Sequence, residues 1–277
     1  MPFEPEKLLA AAPIETRQSL DPGGVILYAL GVGASELPFV YEERLQTLPT
    51  MAAVMAYPGF IWKERDLGVD YRKVLHGETS IVLHRPLPTE GELLGLTRFE
   101  AIYDKGAGKA AVAYQSREIY VDGEHLATVR NASFLRGYGG FGGPSEGQPQ
   151  PHAIPERAPD AVVTLTTAEN LALIYRLSGD LNPLHVDPQV AQESGFPRPI
   201  LHGLATFGVA GRAVLAELCG NEPERLKRLD VRFASPVFPG ETVRTEIWRE
   251  GDGRAAFRAA VEERDQLVLN NGYVEFA

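Results

Sequence analysis

Cysteines, basic clusters and long apolar runs are scarce in this sequence, and each scarcity excludes a class of protein. The single cysteine, Cys219, has no partner for an internal disulfide, which is typical of a reducing compartment. No apolar run approaches the ~20 residues needed to cross a bilayer, and the first residues lack the basic-then-apolar order of a secretory signal. We therefore expect a cytoplasmic protein with no membrane partner.

The charge pattern excludes a second class of partner. The formal net charge is −10 at pH 7, and the positive residues are scattered without a run of Lys or Arg. A duplex-binding domain normally presents a basic face that neutralises phosphates, so we expect no nucleic-acid partner. The 277 residues, 44% of them hydrophobic, suffice for one large core or two fused domains.

Short segments recur in the same order in the two halves of the chain. Tyr28-Ala-Leu-Gly parallels Tyr175-Arg-Leu-Ser, and the offset of roughly 150 residues is the size of one domain. The pattern predicts a duplicated module, with domains at 1–136 and 160–277. The Gly- and Pro-rich residues 137–159 between them are typical of a linker.

Each half ends in alternating apolar and polar runs with the period of strands. The predicted strands are 78–83, 93–104, 109–120, 125–135, 229–233, 242–248, 255–261 and 267–276. In the second half we expect a helix over 167–177, with Thr166 or Thr167 as its N-cap, and a buried helix over 204–218. A long helix followed by an antiparallel meander predicts an α+β fold in which a sheet curls around the helix.

The loop with the sequence GDLNPLHVDP contains the residues best suited to chemistry. Gly179 and Pro183 place Asp180, Asn182 and His185 on a constrained loop, where an acid and an imidazole five positions apart can converge. Such a titratable pair can move protons to and from a water molecule, which Asn182 can orient.

Structural roles for the same loop residues stay open. Asp and Asn are common in such loops because their side chains accept hydrogen bonds from nearby backbone amides. Asp187 is interpreted as a turn or cap residue ahead of Pro188. A metal site built from His185 and Asp187 would lack obvious further ligands, and no metal is expected.

Residues 175–185, continuing to Pro199-Ile-Leu-His-Gly-Leu-Ala-Thr-Phe-Gly, resemble the signature of MaoC-like, R-specific (type 2) enoyl-CoA hydratases. The similarity covers nearly the whole chain and extends to the hydratase portion of peroxisomal multifunctional enzyme type 2. The matching segments of the first half are Tyr28-Ala-Leu-Gly-Val-Gly-Ala, Val74-Leu-His-Gly-Glu, Asp104-Lys-Gly-Ala-Gly and Gly139-Gly-Phe-Gly-Gly.

The resemblance implies a double hot-dog fold, in which each module is a curved antiparallel sheet around a central helix. It implies reversible hydration of a trans-2-enoyl-CoA to the (3R)-3-hydroxyacyl-CoA in fatty acid metabolism, by a homodimer without cofactors. Asp180, Asn182 and His185 match the catalytic residues, and the amide of Gly203 would donate to the thioester carbonyl. A helix start favours negative charge, although a glycine there also permits close helix–sheet packing.

The first half departs from the catalytic motif, because Gly33 stands opposite Asp180 and no His follows at the matching spacing. The resemblance therefore implies that this half shapes the acyl pocket. The residues that it assigns to acyl-CoA contact are His76, Gly77, Lys105, Leu181, Pro183, Leu184 and Phe233. Without the resemblance, Lys105 is typical of a solvated turn and His76 of a buried, hydrogen-bonded histidine.

Two other functions stay open at this point. Acyl-CoA thioester hydrolysis is possible through a carboxylate-assisted water, although Ser178 does not lie in a Gly-x-Ser-x-Gly nucleophile elbow. A non-catalytic acyl-CoA-binding module is also possible, although such a module has no need of an acid–base pair.

Overall fold

The computed structural model describes residues 3–277, and its main element is a ten-stranded antiparallel sheet. The strands are β1 (Ile14–Leu20), β2 (Val74–Leu83), β3 (Gly91–Asp104), β4 (Ala111–Val121), β5 (Glu124–Leu135), β6 (Ala161–Thr166), β7 (Leu226–Phe233), β8 (Thr242–Gly251), β9 (Arg254–Val261) and β10 (Gln266–Phe276). The α-helices are α1 (Pro5–Ala10), α2 (Pro22–Gly31), α3 (Leu37–Val40), α4 (Ile61–Glu64), α5 (Leu171–Tyr175), α6 (Pro188–Glu193) and α7 (Gly203–Cys219). Among residues 3–277, no helix combines the length and apolar character needed to cross a membrane.

The strand order shows the internal repetition directly. It is β1-β3-β4-β5-β2-β7-β10-β9-β8-β6, so each half uses its own first, third, fourth, fifth and second strand from edge to centre. The halves meet where β2 pairs antiparallel with β7, between Glu78↔Arg232 and Val82↔Arg228. This topology confirms the double hot-dog fold. The edge strands β1 and β6 were not among the predicted strands.

The helix on the sheet of the second half is α7. It packs on β6, β7, β8 and β10, and most of its residues are buried. Close approach to the first half depends on its glycines. A Cβ on Gly208 would lie 2.3 Å from Val32 Cγ1, and one on Gly211 would lie 2.4 Å from Thr50 Cγ2. The two halves therefore share one core around α7.

From residue 3 to residue 136 the first half forms no helix as long as α7, so the prediction of a central helix in each module is wrong for this half. The fully buried 3-10 helix Pro49–Ala53 contacts β2, β5 and α7 instead. The carbonyls of Ala52 and Ala53 accept hydrogen bonds from Arg117 Nη2, at 3.2 and 2.6 Å. Ala56, a few residues further on, has a left-handed φ of 45°, which a right-handed helix cannot include.

Helix α5 is shorter than predicted and leads into the 3-10 helix Arg176–Ser178. The predicted cap is wrong, since Thr166 ends β6 and the Oγ1 of buried Thr167 donates to the Glu241 carbonyl at 2.8 Å. Helix α5 packs against α2, with the rings of Tyr28 and Tyr175 6.0 Å apart. The segments whose sequences recur thus lie side by side and fix the start of the loop with Asp180.

Residues 137–159 connect β5 to β6, and their beginning is fastened to the first half. The carboxylate of Asp104, at the end of β3, accepts hydrogen bonds from the amides of Gly140 and Gly142 at 2.7 and 2.8 Å. The Tyr138 ring lies 5.5 Å from the ring of Phe3. These contacts hold the beginning of the segment against β3.

Candidate active site

Short-range hydrogen bonds shape the loop that follows α5. Gly179 adopts a left-handed conformation, with φ 118°, and ends the 3-10 helix Arg176–Ser178. The Oδ1 of Asp180 accepts from the amide of Asn182, and the Oδ1 of Asn182 accepts from the amide of Leu184, both at 3.1 Å. The side-chain oxygen of Asn182 is therefore engaged in the loop, and its Nδ2 is the atom left to orient a water or substrate.

His185 is buried in the 3-10 helix Pro183–His185, and its tautomer follows from one contact. Its Nδ1 lies 2.8 Å from the carbonyl oxygen of Ile200. Because a carbonyl only accepts, Nδ1 carries the hydrogen and Nε2 keeps its lone pair. Burial lowers the pKa of His185 below 6.5, opposed by the Ile200 hydrogen bond and the charge of Asp180. The imidazole is therefore neutral at pH 7 and able to accept a proton.

A second histidine, His202, completes the group and was missed in the sequence, although it directly precedes Gly203 in the resembling segment. Its ring stacks on His185 at 3.6 Å between centroids and lies 5.0 Å from the ring of Tyr175. Its Nε2 donates to the backbone carbonyl of Asp180 at 3.1 Å. Burial, followed by the neighbouring His185, lowers the pKa of His202 to about 4. His202 is thus a neutral group that fixes the backbone of Asp180 and the face of His185.

Asp180, His185 and His202 place one ligand-type atom each within 4.8 Å of one another. The two imidazole planes are only 26° apart. Lone pairs in stacked rings run side by side, so they do not converge on an ion at the ~2.0 Å that zinc requires. Asp187 caps α6 by accepting from the Gln189 amide at 2.8 Å, which confirms its interpretation as a cap. The arrangement suits proton transfer better than metal binding.

Gly203 begins α7, as predicted, with an exposed position at the helix start. The first amides of a helix have no intrahelical partner, and the helix dipole favours negative charge there. A Cβ at this position would lie 3.3 Å from Cε1 of Phe233. The absence of a side chain therefore serves packing as well as access to the amide.

Two of the residues predicted for acyl-CoA contact meet beside Gly203. The ring of His76, from the first half, lies 4.7 Å from the ring of Phe233, from the second. The Nε2 of His76 is 2.8 Å from Thr79 Oγ1 and 3.2 Å from Asn131 Oδ1. These bonds orient an exposed imidazole at the junction of the halves.

The remaining predicted contact residues occupy different environments, and their roles stay predictions. Leu181 is 62% exposed, and Pro183 and Leu184 follow it on the same loop. Gly77 lies at a β-bulge, where a Cβ would be 2.2 Å from the ring of Phe134. Lys105 is exposed in the β3–β4 turn, and its Nζ donates to Gln148 Oε1 at 2.5 Å.

The position opposite Asp180 contains no acid–base group. Gly33 has φ 76°, and a Cβ there would lie 3.4 Å from Nη1 of Arg212. Arg212 donates to the carbonyl of Val32 at 3.1 Å and pairs with Glu36 at 3.0 Å. The ion pair between Arg212 of α7 and Glu36 of the first half therefore occupies the place where a symmetric second site would lie.

Tyr57 of the first half was not singled out in the sequence, where no motif marks it. Burial, followed by the charge of Asp180, raises the pKa of Tyr57 to about 12. The guanidinium carbon of Arg117 lies 5.3 Å from the Tyr57 ring centroid. Tyr57 is therefore a neutral phenol whose ring lies beside the buried cation of Arg117.

Comparison with known proteins agrees with this geometry. Residues 151–271 match the family described as MaoC like domain, and residues 19–137 match the MFE-2 hydratase 2 N-terminal domain. The 3-hydroxyacyl-thioester dehydratase Y of Mycobacterium tuberculosis is 45% identical over 91% of this chain and 91% of its own length. The peroxisomal enoyl-CoA hydratase 2 of Arabidopsis thaliana is 40% identical over 99% of this chain and 95% of its own. A crystal structure of a MaoC-like dehydratase from Phytophthora capsici superposes with a TM-score of 0.91 at 33% identity, covering 99% of this chain and 98% of that one.

Proposed function

This chain belongs to the MaoC-like family of hydratases, with a first half of the MFE-2 hydratase 2 type, and we propose that it reversibly hydrates a trans-2-enoyl-CoA to the (3R)-3-hydroxyacyl-CoA in fatty acid metabolism. The observation that carries the proposal is the neutral His185, with its Nε2 free, beside Asp180 at the start of α7. The names of the relatives, enoyl-CoA hydratase 2 among them, support the substrate class.

The mechanism begins with a water molecule held between Asp180 and His185. The Nε2 of His185 accepts a proton as the water oxygen bonds to C3, while the negative charge of Asp180 stabilises the imidazolium. The electrons of the double bond move onto the thioester oxygen, where the amide of Gly203 donates to the enolate. The enolate returns its electrons as the Asp180–His185 pair delivers a proton to C2, so one water has been added in all.

The proposal includes the absence of a cofactor, a cytoplasmic location and a homodimer. Stacked His185 and His202 rings are poor joint ligands for a metal, and hydration transfers no electrons. The thiol of Cys219 is free and buried, in keeping with a reducing compartment. Two leucines on neighbouring helical segments are exposed to solvent. Leu30, near the end of α2, is 43% exposed, and Leu177, in the 3-10 helix after α5, is 58% exposed. Such apolar exposure supports contact with a second copy, which light scattering on the purified protein would measure.

Substituting Asp180 by Asn tests the assigned chemistry. Hydration of crotonyl-CoA is followed by the loss of its enoyl absorbance, with chiral analysis of the alcohol. Because the carboxylate is lost while its shape is kept, we expect kcat to fall by about 10²- to 10⁴-fold. The matched control is Asp187→Asn, on the same loop but engaged in capping α6, which should keep kcat within about threefold of the unmodified protein.

The same experiment separates the alternative functions. Release of free thiol without hydration would identify a thioesterase. Tight binding of the thioester with no turnover would identify a binding module. An Asp180→Asn variant with full activity would contradict the proposed role of Asp180, whereas the assignment of the fold would stand.

A further inference from the structure

On the face of the sheet opposite α7, a cleft lies where the two halves meet. Residues 149–152, from the segment between β5 and β6, form one wall, and residues of β2, β4, β5, β7 and β10 form the rest. The enclosed space measures about 150 Å³. Pockets for drug-sized ligands measure roughly 300–1,000 Å³, so this cleft has room only for a small ligand.

A small side chain lies between two arginines at this cleft. Burial alternates along β2, with Thr79 turned to the core and Glu78 and Ser80 turned to the cleft. Ser80 pairs with Arg130 of β5, and Glu78 pairs with Arg232 of β7. Strands lie ~4.8 Å apart and residues on one face repeat every ~6.7 Å, which places the Cα atoms of the two arginines about 12 Å apart. Both side chains can therefore reach one small ligand above Ser80.

The carboxylates of the cleft are already engaged within the protein. Glu78 accepts from Arg232 Nε at 2.6 Å and from the Tyr114 hydroxyl at 3.2 Å. Asp230 accepts from Nε and Nη2 of Arg228 at 2.9 and 2.6 Å. Because each carboxylate is neutralised by an arginine, neither of them favours a cation as the ligand of the cleft.

Two of the arginines, in contrast, have unused donors. Within residues 3–277, nothing accepts from Nη1 or Nη2 of Arg232, and Arg130 uses only its Nε, which donates to Glu100 at 3.0 Å. Three arginines and two acids line the cleft, so it has a positive net charge in a chain whose formal net charge is −10. Planar guanidinium groups with free N–H donors match the oxygens of phosphate and carboxylate groups. The unused chemistry of the cleft is therefore that of an anion site.

We propose that this cleft binds a phosphate-type oxyanion between the free N–H groups of Arg232 and Arg130. The anion is either free phosphate or the phosphate group of a small monoester. The site lies behind the strand that carries His76, since Thr79 Oγ1, on the core side of β2, is 2.8 Å from Nε2 of His76. It is separate from the group of Asp180 and His185, so the proposal does not depend on the hydratase activity.

The test titrates inorganic phosphate into the full-length protein at constant ionic strength and follows the midpoint of thermal unfolding. Broadening of the phosphorus NMR resonance gives a second measure of binding. We expect a saturable rise of the midpoint, since a ligand that binds only the folded state stabilises it. A parallel titration with glycerol phosphate distinguishes the two sources of the anion, because the true ligand should bind more tightly.

Variants of the cleft locate the bound anion. Arg232→Met and Arg130→Met should each weaken phosphate binding by about tenfold, because each removes charge-assisted hydrogen bonds. Glu78→Gln should instead tighten binding by about fourfold, since it removes a negative charge beside the anion. Arg258→Met is the matched control, because its Nε donates to Glu246 at 2.6 Å outside the cleft, and it should leave the affinity unchanged.

Two results would overturn the inference. One is a phosphate affinity that is the same in Arg232→Met, Arg130→Met and the unmodified protein, and the other is the absence of any rise in the unfolding midpoint. If Arg232→Met does not fold because the junction of the halves is weakened, Arg130→Met decides the matter alone. The Arg130 side chain is 59% exposed and pairs only with Glu100, so its removal leaves the fold intact.

Discussion

Replacing His202 by Phe should make the folded protein less sensitive to acid. The imidazole of His202 has a pKa of about 4 in the folded state, mainly because it is 1% exposed, against 6.5 in an unfolded chain. Between these two pH values the unfolded chain binds a proton that the folded protein does not. The folded-state pKa is lowered, so this contribution to stability is fully present above about pH 6.5 and is lost as the pH falls toward 4.

The size of the effect follows from the same two values. Each unit of pKa difference corresponds to about 1.4 kcal/mol, so the whole contribution, which is lost once the pH falls below about 4, is about 3 kcal/mol. At pH 5, where the unfolded imidazole is already protonated, the loss is about 2 kcal/mol relative to pH 7. Burial also lowers the pKa of His185, so this residue likewise reduces the unfolding free energy as the pH falls. That second reduction remains in the His202→Phe variant.

Urea unfolding followed by circular dichroism at pH 7 and pH 5 measures this difference. In His202→Phe, the fall in unfolding free energy between the two pH values should be about 2 kcal/mol smaller than in the unmodified protein. Thr206→Val is the matched control, because it removes the hydrogen bond from Thr206 Oγ1 to the His202 carbonyl without removing an imidazole. It should lower stability equally at both pH values. An unchanged pH difference in His202→Phe would refute the burial argument.

Three further outcomes are expected. The kcat/KM for crotonyl-CoA should fall on the acid side with a midpoint below pH 6.5, since burial lowers the pKa of the proton acceptor His185; a midpoint above 6.5 would contradict this role. Gly77→Ala should lower the unfolding free energy by about 1–3 kcal/mol because its Cβ meets the Phe134 ring at 2.2 Å, and adding Phe134→Leu should restore part of the loss in thermal denaturation. Glu78→Gln should lower the free energy of unfolding in urea by about 1 kcal/mol, because Glu78 accepts from Arg232 across the junction of the halves at 2.6 Å. An unchanged free energy would show that this pair does not stabilise the fold.

Much of the sheet could be predicted because its signals are local. Alternation of burial along β8, for instance, follows the alternation of apolar and polar residues from Thr242 onward. The conformation of the loop with Asp180 could be predicted equally well, since Gly179, Pro183 and the cap residue Asp187 fix it through contacts a few positions away.

What could not be predicted depends on partners distant in the chain. The conformation of residues 52–57 is set by Arg117, 65 positions from Ala52, and by Gln18, 38 positions from Ala56. Thr167 is drawn away from its expected cap by Glu241, 74 positions later. Nothing in the local sequence distinguishes these residues from others of their type, so propensity and periodicity had no means of finding them.

The two halves share a strand order, yet the pair of Asp180 and His185 on which the proposed chemistry depends lies in the second half. The second half contains α7, whose first amide at Gly203 is the donor that the proposed mechanism assigns to the enolate oxygen. In the described part of the first half, Gly33 stands at the position that corresponds to Asp180. Arg212 of α7 lies beside Gly33 and donates to Glu36, so this ion pair occupies the place of a second acid–base pair. The proposal of one site per duplicated chain agrees with the way in which α7 of the second half packs against the first half.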